Sequence, residues 1–452
     1  MTAMRPDRTV PPAPGRARAF HFPPFLRHTL ANGLEVLAAR LDDVPLVSLE
    51  LVTPGGGLYD PRGKEGLAAL TAGVIDEGTR RRNALEIATF VERLGGSFGA
   101  GIDWDEGYLA TGLLAEHLPA GLELIAEVAT EPTFPEEEIE RLRKQRLTEI
   151  VRRRQDPGLL AEDRLAAVLY EGTVYDHPLH GHPETVAALT RDDLVAFYRA
   201  CYTLHGSRLI AVGDLDPEAI LREAEARFSS LPPGPPPRPE INPEPLPGLQ
   251  VYVVDRPGGA QTELRLGHVG VPRTDPDYIP MIVLNTLVGG KFTSRINLNL
   301  RERHAYTYGA STRLSPRLGP GPFVVDVAVA TASTGAAAVE TLGELRRIRE
   351  ELVEPHELEE TVSYVRGVFP YTFQGASDLA RRLETLAVYG LPNDYYERYL
   401  ERLPAITREE LLTVAQRRIH PDHMAVVAVG PAEALVPQLE TLGPVTVLPV
   451  PG

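Results

Sequence analysis

The sequence of 452 residues is poor in cysteine and lysine, and it has no long apolar run. Its single cysteine, Cys201, excludes a disulfide framework and a cysteine-based zinc cluster. The N-terminal segment Met1 to Phe25 is rich in Pro and Arg and lacks the apolar core of a signal peptide, and no apolar stretch reaches 18 residues. We therefore expect a cytoplasmic protein without a membrane span.

Basic charge is scarcer than acidic charge. The chain has 46 Lys and Arg residues against 62 Asp and Glu residues, and the formal net charge is −16. Nucleic acids and anionic membranes bind basic surfaces, so both are excluded as expected partners. The hydrophobic fraction of 43% excludes a disordered chain, and the length predicts two or more domains.

Proline is concentrated near the midpoint of the chain. The segment Leu231 to Gly248 holds nine prolines in 18 residues, a composition that neither continues a helix nor pairs as a central strand. We interpret it as a linker between two halves. The predicted division is an N-terminal tail, an N-terminal domain, a linker and a C-terminal domain, at residues 1–26, 27–231, 232–248 and 249–452.

The two halves share a repeated pattern. Thr190 aligns with Thr407 and Gly213 with Gly430, both at an offset of 217. Each copy has a threonine N-cap, an acidic first turn, an amphipathic helix and an apolar strand that ends in Val-Gly. The length of the match indicates an internal duplication.

Hairpin and helix signals alternate within each half. Asn32-Gly33 predicts a two-residue hairpin turn between two strands. Periodicity predicts helices at about residues 66–76, 84–94, 135–154 and 159–170. We therefore predict an α+β fold of two homologous halves, each an antiparallel sheet covered by helices, which together enclose a cavity.

One glycine-rich segment carries a specific resemblance. Residues Gly55 to Thr79 read GGGLYDPRGKEGLAALTAGVIDEGT, a turn followed by a helix that stops at Gly78. The segment lacks the Gly-Lys-Ser/Thr of a phosphate loop. It resembles the entrance to the zinc helix of the pitrilysin/insulinase-type metallopeptidases (inverzincins), which include mitochondrial processing peptidase. The resemblance continues through Arg-Leu-Gly-Gly-Ser at 93–97 and the repeat, and covers about residues 27–440.

The resemblance implies a degenerate metal helix at residues 66–78. Active members carry His-x-x-Glu-His there, and in this chain the three positions are Ala69, Ala72 and Gly73. The family's third ligand, 76 residues beyond the second histidine, corresponds to Glu149. One carboxylate does not hold zinc, so we expect no cofactor in this chain and zinc in a partner subunit. Glu149 is interpreted as a solvated residue on a charged helix.

Two histidine clusters are alternative metal sites. His177, His180 and His182 lie within a span of six residues, and His-x-His spacing can bind zinc. The matching stretch of the family is a connection without a metal role, which favours a structural interpretation. His420 and His423 form a weaker cluster before an apolar strand.

The second half carries a second resemblance. Residues Leu287 to Ser311 predict a Gly-Gly turn, a helix and a strand that begins near Ala305. The segment resembles the family element in which an Arg and a Tyr stand seven residues apart, here Arg301 and Tyr308. The family's roles imply that Tyr308 stabilises an oxyanion and that Arg301 holds a substrate carbonyl. The alternative is a half-buried strand tyrosine and a solvated arginine. Strand alternation would put Tyr306 on the same face, although the spacing favours Tyr308.

Three functions follow from these features. The leading hypothesis is a non-catalytic, substrate-binding subunit, inactive alone, which completes the active site of a homologous, zinc-motif-bearing peptidase subunit in a heterodimer. Peptide would be held by strand addition, and a homodimer is the alternative assembly. The second hypothesis is a structural or assembly protein of the same family. The third is a hydrolase that uses the histidine cluster; no Ser-His-Asp signature is visible, and nothing lowers the pKa of Cys201.

Overall fold

A computed structural model of the chain describes residues 20–228, 234–235 and 237–450. The described residues form two six-stranded sheets, one from each half, in the spatial orders β1-β2-β6-β3-β5-β4 and β12-β7-β11-β8-β10-β9. The strands are β1 (Leu26–Thr29), β2 (Glu35–Arg40), β3 (Leu46–Thr53), β4 (Ser97–Ile102), β5 (Gly107–Leu114), β6 (Arg208–Gly213), β7 (Gln250–Asp255), β8 (Gln261–Val269), β9 (Ala310–Leu314), β10 (Pro322–Ala330), β11 (Ala425–Gly430) and β12 (Val445–Leu448).

Helices cover the faces of both sheets. Those of the first half are α1 (Leu67–Val74), α2 (Ala84–Arg93), α3 (Leu118–Thr130), α4 (Glu136–Gln155), α5 (Pro157–Leu169), α6 (Pro183–Ala188), α7 (Arg191–Cys201) and α8 (Pro217–Arg227). Those of the second half are α9 (Tyr278–Asn285), α10 (Arg295–Asn297), α11 (Thr334–Glu350), α12 (Pro355–Val368), α13 (Ala376–Val388), α14 (Tyr395–Arg402), α15 (Arg408–Arg418) and α16 (Ala432–Leu439). None of the helices in the described ranges has both the length and the apolarity to cross a bilayer.

The α+β class and the duplication are confirmed, but the sheets are mixed rather than antiparallel. In the first sheet β2 runs parallel to β6, and in the second sheet β7 runs parallel to both β11 and β12. The prediction of purely antiparallel sheets was wrong because several helices separate β2 from β6, and β7 from β11, along the chain. A connection of that length allows parallel pairing. The enclosed cavity stays a prediction.

The internal repeat corresponds to one element of each half. Thr190 and Thr407 are the N-caps of α7 and α15, and their hydroxyls accept hydrogen bonds from the N–H groups of Asp193 and Glu410 at 3.3 and 3.1 Å. Each helix leads to a strand inside its sheet, β6 or β11, whose residues are almost all buried. The repeated sequence therefore encodes a capped helix and a central strand in both halves.

The two halves exchange one helix each. Helix α5 of the first half packs on β8 and β11 of the second sheet, and α13 of the second half packs on β3 and β6 of the first sheet. Leu160, Leu165 and Leu169 of α5 are at least 98% buried among the valines of the second sheet. Each half therefore lacks part of its own core, which the other half supplies.

The predicted tail and linker are only partly described. Residues 1–19, 229–233 and 236 lie outside the described residues. Near the end of the predicted tail, Phe22 is 93% buried, and its ring stacks on Tyr396 of the second half with 4.9 Å between centroids. In the linker, Ile241 is buried against the second sheet. Both segments therefore join the packing of the C-terminal half.

We predict that cleavage in the linker will not separate the halves. Burial of a leucine contributes about 1.5–3 kcal/mol, and the exchanged α5 buries three of them in the other half. Limited proteolysis should cut within residues 231–248 first, and the nicked protein should elute from gel filtration at the size of the intact chain. Early cleavage inside α2 or α5, or elution as two half-size species, would contradict this prediction.

Three carboxyl groups meet where α13 crosses the first sheet. Burial, followed by the charge of Glu384, raises the pKa of Glu50 on β3 from its ordinary value of 4.5 to about 8. Burial also raises the pKa of Glu106 and of Glu384, and Glu384 adds to the shift of Glu106. Arg381 opposes the shifts of Glu50 and Glu384. These carboxyl groups are therefore protonated over a pH range in which an exposed glutamate is charged.

The contact between the halves should weaken as the pH rises. Because the pKa of Glu50 is higher in the folded state, the folded protein holds the extra proton between pH 4.5 and about 8, so the free energy of unfolding falls across that window. Glu50→Gln should raise the melting temperature at pH 8 and leave it nearly unchanged at pH 4.5. Thermal unfolding from pH 4.5 to 9 measures this, with Glu359→Gln on the exposed face of α12 as control. Equal pH profiles for Glu50→Gln and the native chain would contradict the prediction.

Candidate functional site

The degenerate metal helix α1 begins where its backbone lies in close contact with the loop before α6. The carboxylate of Asp60 accepts hydrogen bonds from the N–H groups of Gly66 and Ala68, both at 2.7 Å, and so caps the helix. Gly66 has φ +92°, and a Cβ there would lie 2.7 Å from the carbonyl oxygen of His180. Gly181 has φ +78° and approaches the carbonyl of Glu65 in the same way. Backbone contact with the loop before α6 therefore fixes the start of α1.

No metal-binding side chain projects from α1. Ala69 and Ala72 are 97% and 99% buried, and Gly73 has no side chain. A Cβ placed on Gly73 would lie 3.9 Å from Nη2 of Arg146, and among the described residues no other atom outside the adjacent helix backbone lies within 4 Å. The guanidinium of Arg146, on α4, therefore lies beside the position that corresponds to the family's second histidine.

Glu149 also has partners on α4. Its Oε2 accepts a hydrogen bond from Nη1 of Arg146 at 2.8 Å, and its Oε1 accepts one from Nε2 of Gln145 at 3.2 Å. The side chain is 48% exposed, as expected for a charged helix, but it is paired rather than free. Arg146 stands three residues before Glu149, one turn away on the same helical face, and this signal in the sequence was overlooked.

A cavity of about 370 Å³ adjoins this pair. It is lined by side chains of α4, by Asp156, by Leu159 of α5 and by His180. Burial, with the nearby charges of Arg146 and Arg153, lowers the pKa of His180 to about 4. His180 is therefore neutral near pH 7, and the positive charge of this cavity is that of arginine side chains.

These residues do not fit the family's zinc ion. The helix offers no histidine and no glutamate, the third-ligand carboxylate is engaged by Arg146, and a cation already lies beside Gly73. Zinc needs three or four N, O or S donors that converge on one point. Among residues 20–228, 234–235 and 237–450, no group of three His, Cys, Asp or Glu side chains could hold a metal ion.

The histidine cluster is divided: the ring centroids of His177 and His182 lie 6.5 Å apart, whereas His180 faces a different cavity. His177 is 95% buried, its Nδ1 lies 2.9 Å from the carbonyl oxygen of Pro178, and its ring lies 5.4 Å from that of Trp104. His180 faces the Arg146 cavity, and His182 lines a second cavity beside α5. His420 and His423 line a third one, with the linker and the buried His268. The sequence cluster therefore does not form one site.

Cys201 is not an activated nucleophile. It is 98% buried at the end of α7. Burial, together with the charge of Asp60, raises the pKa of its thiol to about 12. The thiolate form that nucleophilic catalysis needs is therefore suppressed.

The Arg/Tyr element differs in backbone from the expectation. A π-helical turn spans Leu298–Arg303, Ala305 has φ +55°, and β9 begins only at Ala310. The prediction of a strand from Ala305 was wrong. The chain turns at Ala305 so that the N–H of Tyr306 can donate to the carbonyl of Leu300 at 2.8 Å, which leaves residues 304–309 as a loop.

The three candidate side chains of this element have different surroundings. Tyr306 is half-buried and its ring stacks on His304, whereas Tyr308 is 91% exposed. The strand alternation that grouped the two tyrosines therefore does not apply. Arg301 lies over the ring of Phe292 at 4.6 Å and forms an ion pair with Glu302 at 3.4 Å. Arg301 is thus oriented by its neighbours, and Tyr308 projects into solvent.

One asparagine that sequence reasoning missed holds the loop in place. Nδ2 of Asn297 donates to the carbonyl of Phe292 at 2.6 Å, and its Oδ1 accepts from the N–H of Ala310 at 3.0 Å. Thr307 adds a hydrogen bond from its hydroxyl to the carbonyl of Ala328 at 2.6 Å. The loop that bears Tyr308 is therefore fixed at both ends.

Comparisons with known proteins agree with the sequence resemblance. The model of the insulinase family (peptidase family M16) matches residues 36–182, and that of the peptidase M16 inactive domain matches residues 188–365. An uncharacterized zinc protease of Rickettsia bellii is 26% identical over 338 residues, 75% of this chain and 81% of the relative. The beta subunit of mitochondrial-processing peptidase from Rattus norvegicus is 26% identical over 266 residues, 58% of this chain and 53% of the relative. A non-peptidase homolog, YmxG, of Helicobacter pylori is 20% identical over 374 residues, 81% of this chain and 85% of the relative.

Solved structures share the fold. A peptidase M16 inactive domain from Pseudomonas fluorescens superposes with a TM-score of 0.85 at 26% identity, over 90% of this chain and 98% of that one. A protease from Helicobacter pylori gives a TM-score of 0.84 at 19% identity, over 90% of this chain and all of that one, and shows the fold alone. With two family models that together span most of the chain, and with this shared fold, the chain belongs to the insulinase (M16) peptidase family.

Proposed function

We propose that this chain is the non-catalytic, substrate-binding subunit of a two-subunit zinc metallopeptidase. In this assembly a homologous subunit carries the zinc and the water-activating glutamate. The present chain contributes Arg301 and Tyr308 to the partner's active site. The isolated chain has no peptidase activity.

One observation carries the proposal, namely the contrast between the two halves. In the first half, Ala69, Ala72 and Gly73 replace every catalytic side chain of α1, and Arg146 lies where a ligand would stand. In the second half, Tyr308 is 91% exposed on a loop that is fixed at both ends. Within the described part of the chain, no hydrogen bond or ring contact engages this phenol, so it is available to a second protein.

The names of relatives support both parts of the proposal. One relative is named a non-peptidase homolog, and others are named the beta subunit of a processing peptidase, which is a multisubunit protein by its name. Several are named zinc proteases. A family with both kinds of member supports the assignment of this chain to an assembly in which another subunit holds the metal.

Peptide binding would use the free edge of a sheet. β4 is the outermost strand of the first sheet and, among the strands of the described residues, pairs only with β5. Its outward N–H and C=O groups can pair with an extended peptide, an interaction that needs no particular peptide sequence.

Co-expression with a homologue that carries the zinc motif tests the proposal. We expect a 1:1 complex in gel filtration, and peptidase activity that requires both chains and is removed by a chelator. A complex without any change in the partner's activity would favour the structural, assembly-protein alternative. Failure to form a complex with any zinc-motif homologue of the same genome would contradict the proposal.

A further inference from the structure

The second half contains a pocket that belongs to neither the metal helix nor the Arg/Tyr element. It has a volume of about 280 Å³ and lies between α9, α12, α13 and α14. We call it the tyrosine–arginine pocket; its polar lining consists of Arg273, Tyr278, Thr286, Tyr364, Thr372, Arg382, Tyr395, Tyr396 and Tyr399. Tyr364 is 46% exposed and Val368 is 41% exposed, so the pocket opens to solvent between them.

Arg273 is buried at this pocket and has no carboxylate partner among the described residues. The residue is 93% buried, and Nη1 donates a hydrogen bond to the hydroxyl of Tyr395 at 2.8 Å. Its guanidinium lies 4.1 Å from the ring centre of Tyr278 and 4.8 Å from that of Tyr395. None of the Asp and Glu side chains in the described ranges forms an ion pair with it. Aromatic faces and one phenol offset only part of the cost of burying a charge.

Arg382 adds a second positive charge to the same pocket. Its Nε is buried and has no hydrogen-bond partner within the described part of the chain. Its guanidinium lies 5.7 Å from the ring centre of Phe373, and no carboxylate among those residues pairs with it. Two guanidinium groups without an acidic partner therefore line a single cavity. A bound anion would neutralise their charge and accept their hydrogen bonds.

The remaining walls are apolar. Ile282, Val365, Val368 and Phe369 line the pocket beside the tyrosine rings. A cavity of 150 Å³ holds benzene, so a cavity of this volume holds about 11 non-hydrogen atoms by proportion. Planar guanidinium groups pair with carboxylates through two parallel hydrogen bonds. Size, charge and lining together indicate one carboxylate joined to an aryl or branched alkyl group.

We propose that the tyrosine–arginine pocket binds a small organic carboxylate that carries an aryl or branched alkyl group. The carboxylate pairs with Arg382 and with the accessible edge of Arg273, and the apolar group lies among the tyrosine rings and the aliphatic side chains of α9 and α12. This site is independent of the proposed peptidase assembly, since its lining includes no residue of α1 and neither Arg301 nor Tyr308.

Binding of 3-phenylpropionate to the isolated full-length chain tests the proposal. This acid has the expected size, and its neutral amide, 3-phenylpropionamide, has nearly the same shape without the charge. We expect saturable 1:1 binding of the acid by calorimetry, a rise in melting temperature, and at least tenfold weaker binding of the amide. Absence of saturable binding by the acid, or equal affinity for acid and amide, would overturn the proposal.

Matched arginine variants identify the site. Arg382→Met removes one charge and keeps an unbranched side chain of similar length, and it should weaken binding of 3-phenylpropionate at least tenfold. Arg398→Met removes an exposed arginine from α14 that pairs with Asp394, and it should leave the affinity unchanged. Circular dichroism and thermal unfolding establish that both variants fold. An equal effect of the two substitutions, or none from Arg382→Met, would overturn the assignment to this pocket.

The bound carboxylate could belong to a small free acid or to the C-terminal residue of a peptide. Acetylated tripeptides that end in Phe, with either a free or an amidated C-terminus, distinguish them. Tighter binding of the free-acid tripeptide than of 3-phenylpropionate identifies a peptide terminus. Binding of 3-phenylpropionate without binding of the tripeptide identifies a small-molecule acid. Both outcomes support the carboxylate site.

Discussion

Tyr308→Phe should lower the turnover of the reconstituted heterodimer about 100- to 1000-fold, the usual effect of removing one hydrogen-bond donor to a developing oxyanion. Assembly and folding should not change, because the substitution removes one hydroxyl from a side chain that is 91% exposed. Peptide cleavage by the purified complex measures the effect, with gel filtration to confirm the assembly. The isolated chain should be inactive with either residue.

The same loop provides the control for this substitution. Tyr306→Phe removes a hydroxyl two residues away, from a ring that stacks on His304, and it should leave turnover within a few-fold of the native complex. Arg301→Ala should weaken peptide binding and raise KM, because a donor to a substrate carbonyl is lost. If both Tyr308→Phe and Arg301→Ala keep the native turnover, the catalytic role fails and the structural role stands.

A zinc site should be recoverable in α1, but only if Arg146 is also replaced. The purified native chain should hold far less than one zinc per chain. The family motif is restored by the three substitutions Ala69→His, Ala72→Glu and Gly73→His. However, the guanidinium of Arg146 beside Gly73 would repel the zinc ion and keeps Glu149 in a hydrogen bond. Adding Arg146→Ala should raise zinc affinity about 100-fold, at the upper end of the effect of residues that surround metal ligands. Elemental analysis after dialysis and the zinc-dependent shift in melting temperature measure this effect.

The chain provides a matched control for the Arg146→Ala substitution. Lys144 is an exposed cation on the same helix, so Lys144→Ala in the triple variant should not restore zinc binding. The triple variant is expected to be less stable than the native chain, because Ala69 and Ala72 are buried and larger side chains must displace their neighbours. One zinc per chain in the triple variant alone would show that Arg146 does not block the site. Absence of zinc from the quadruple variant would show that the residues around α1 can no longer form it.

The sequence predicted the parts of the fold that local signals encode. Helix α4, predicted at residues 135–154, spans Glu136–Gln155, and the threonine caps at 190 and 407 lie where the repeat placed them. Acidic first turns and hydroxyl caps act within a few residues, so they can be read without knowledge of the tertiary structure. The degenerate positions of α1 were equally readable, because a missing histidine or glutamate is visible in the sequence itself.

The features that sequence reasoning missed depend on packing. The loop at residues 304–309 reads as a strand by its tyrosine spacing, but hydrogen bonds of Asn297 and Tyr306 turn it away from the sheet. The parallel pairing of β2 with β6 joins strands more than 160 residues apart, and no local pattern indicates it. Arg146 can be placed beside Gly73 only when the crossing of α1 and α4 is known.

The exchange of α5 and α13 has a consequence for synthesis on the ribosome. The last strand of the first sheet ends at Gly213, but the helix that covers its inner face ends at Val388, about 175 residues later. At about 5–20 residues per second, this interval lasts about 9–35 s. During that time the nascent chain exposes the apolar surface that contains Leu37, Val52 and Ile210, and α5 has no sheet to cover. We therefore expect the first half to be prone to aggregation on the ribosome until the second half emerges.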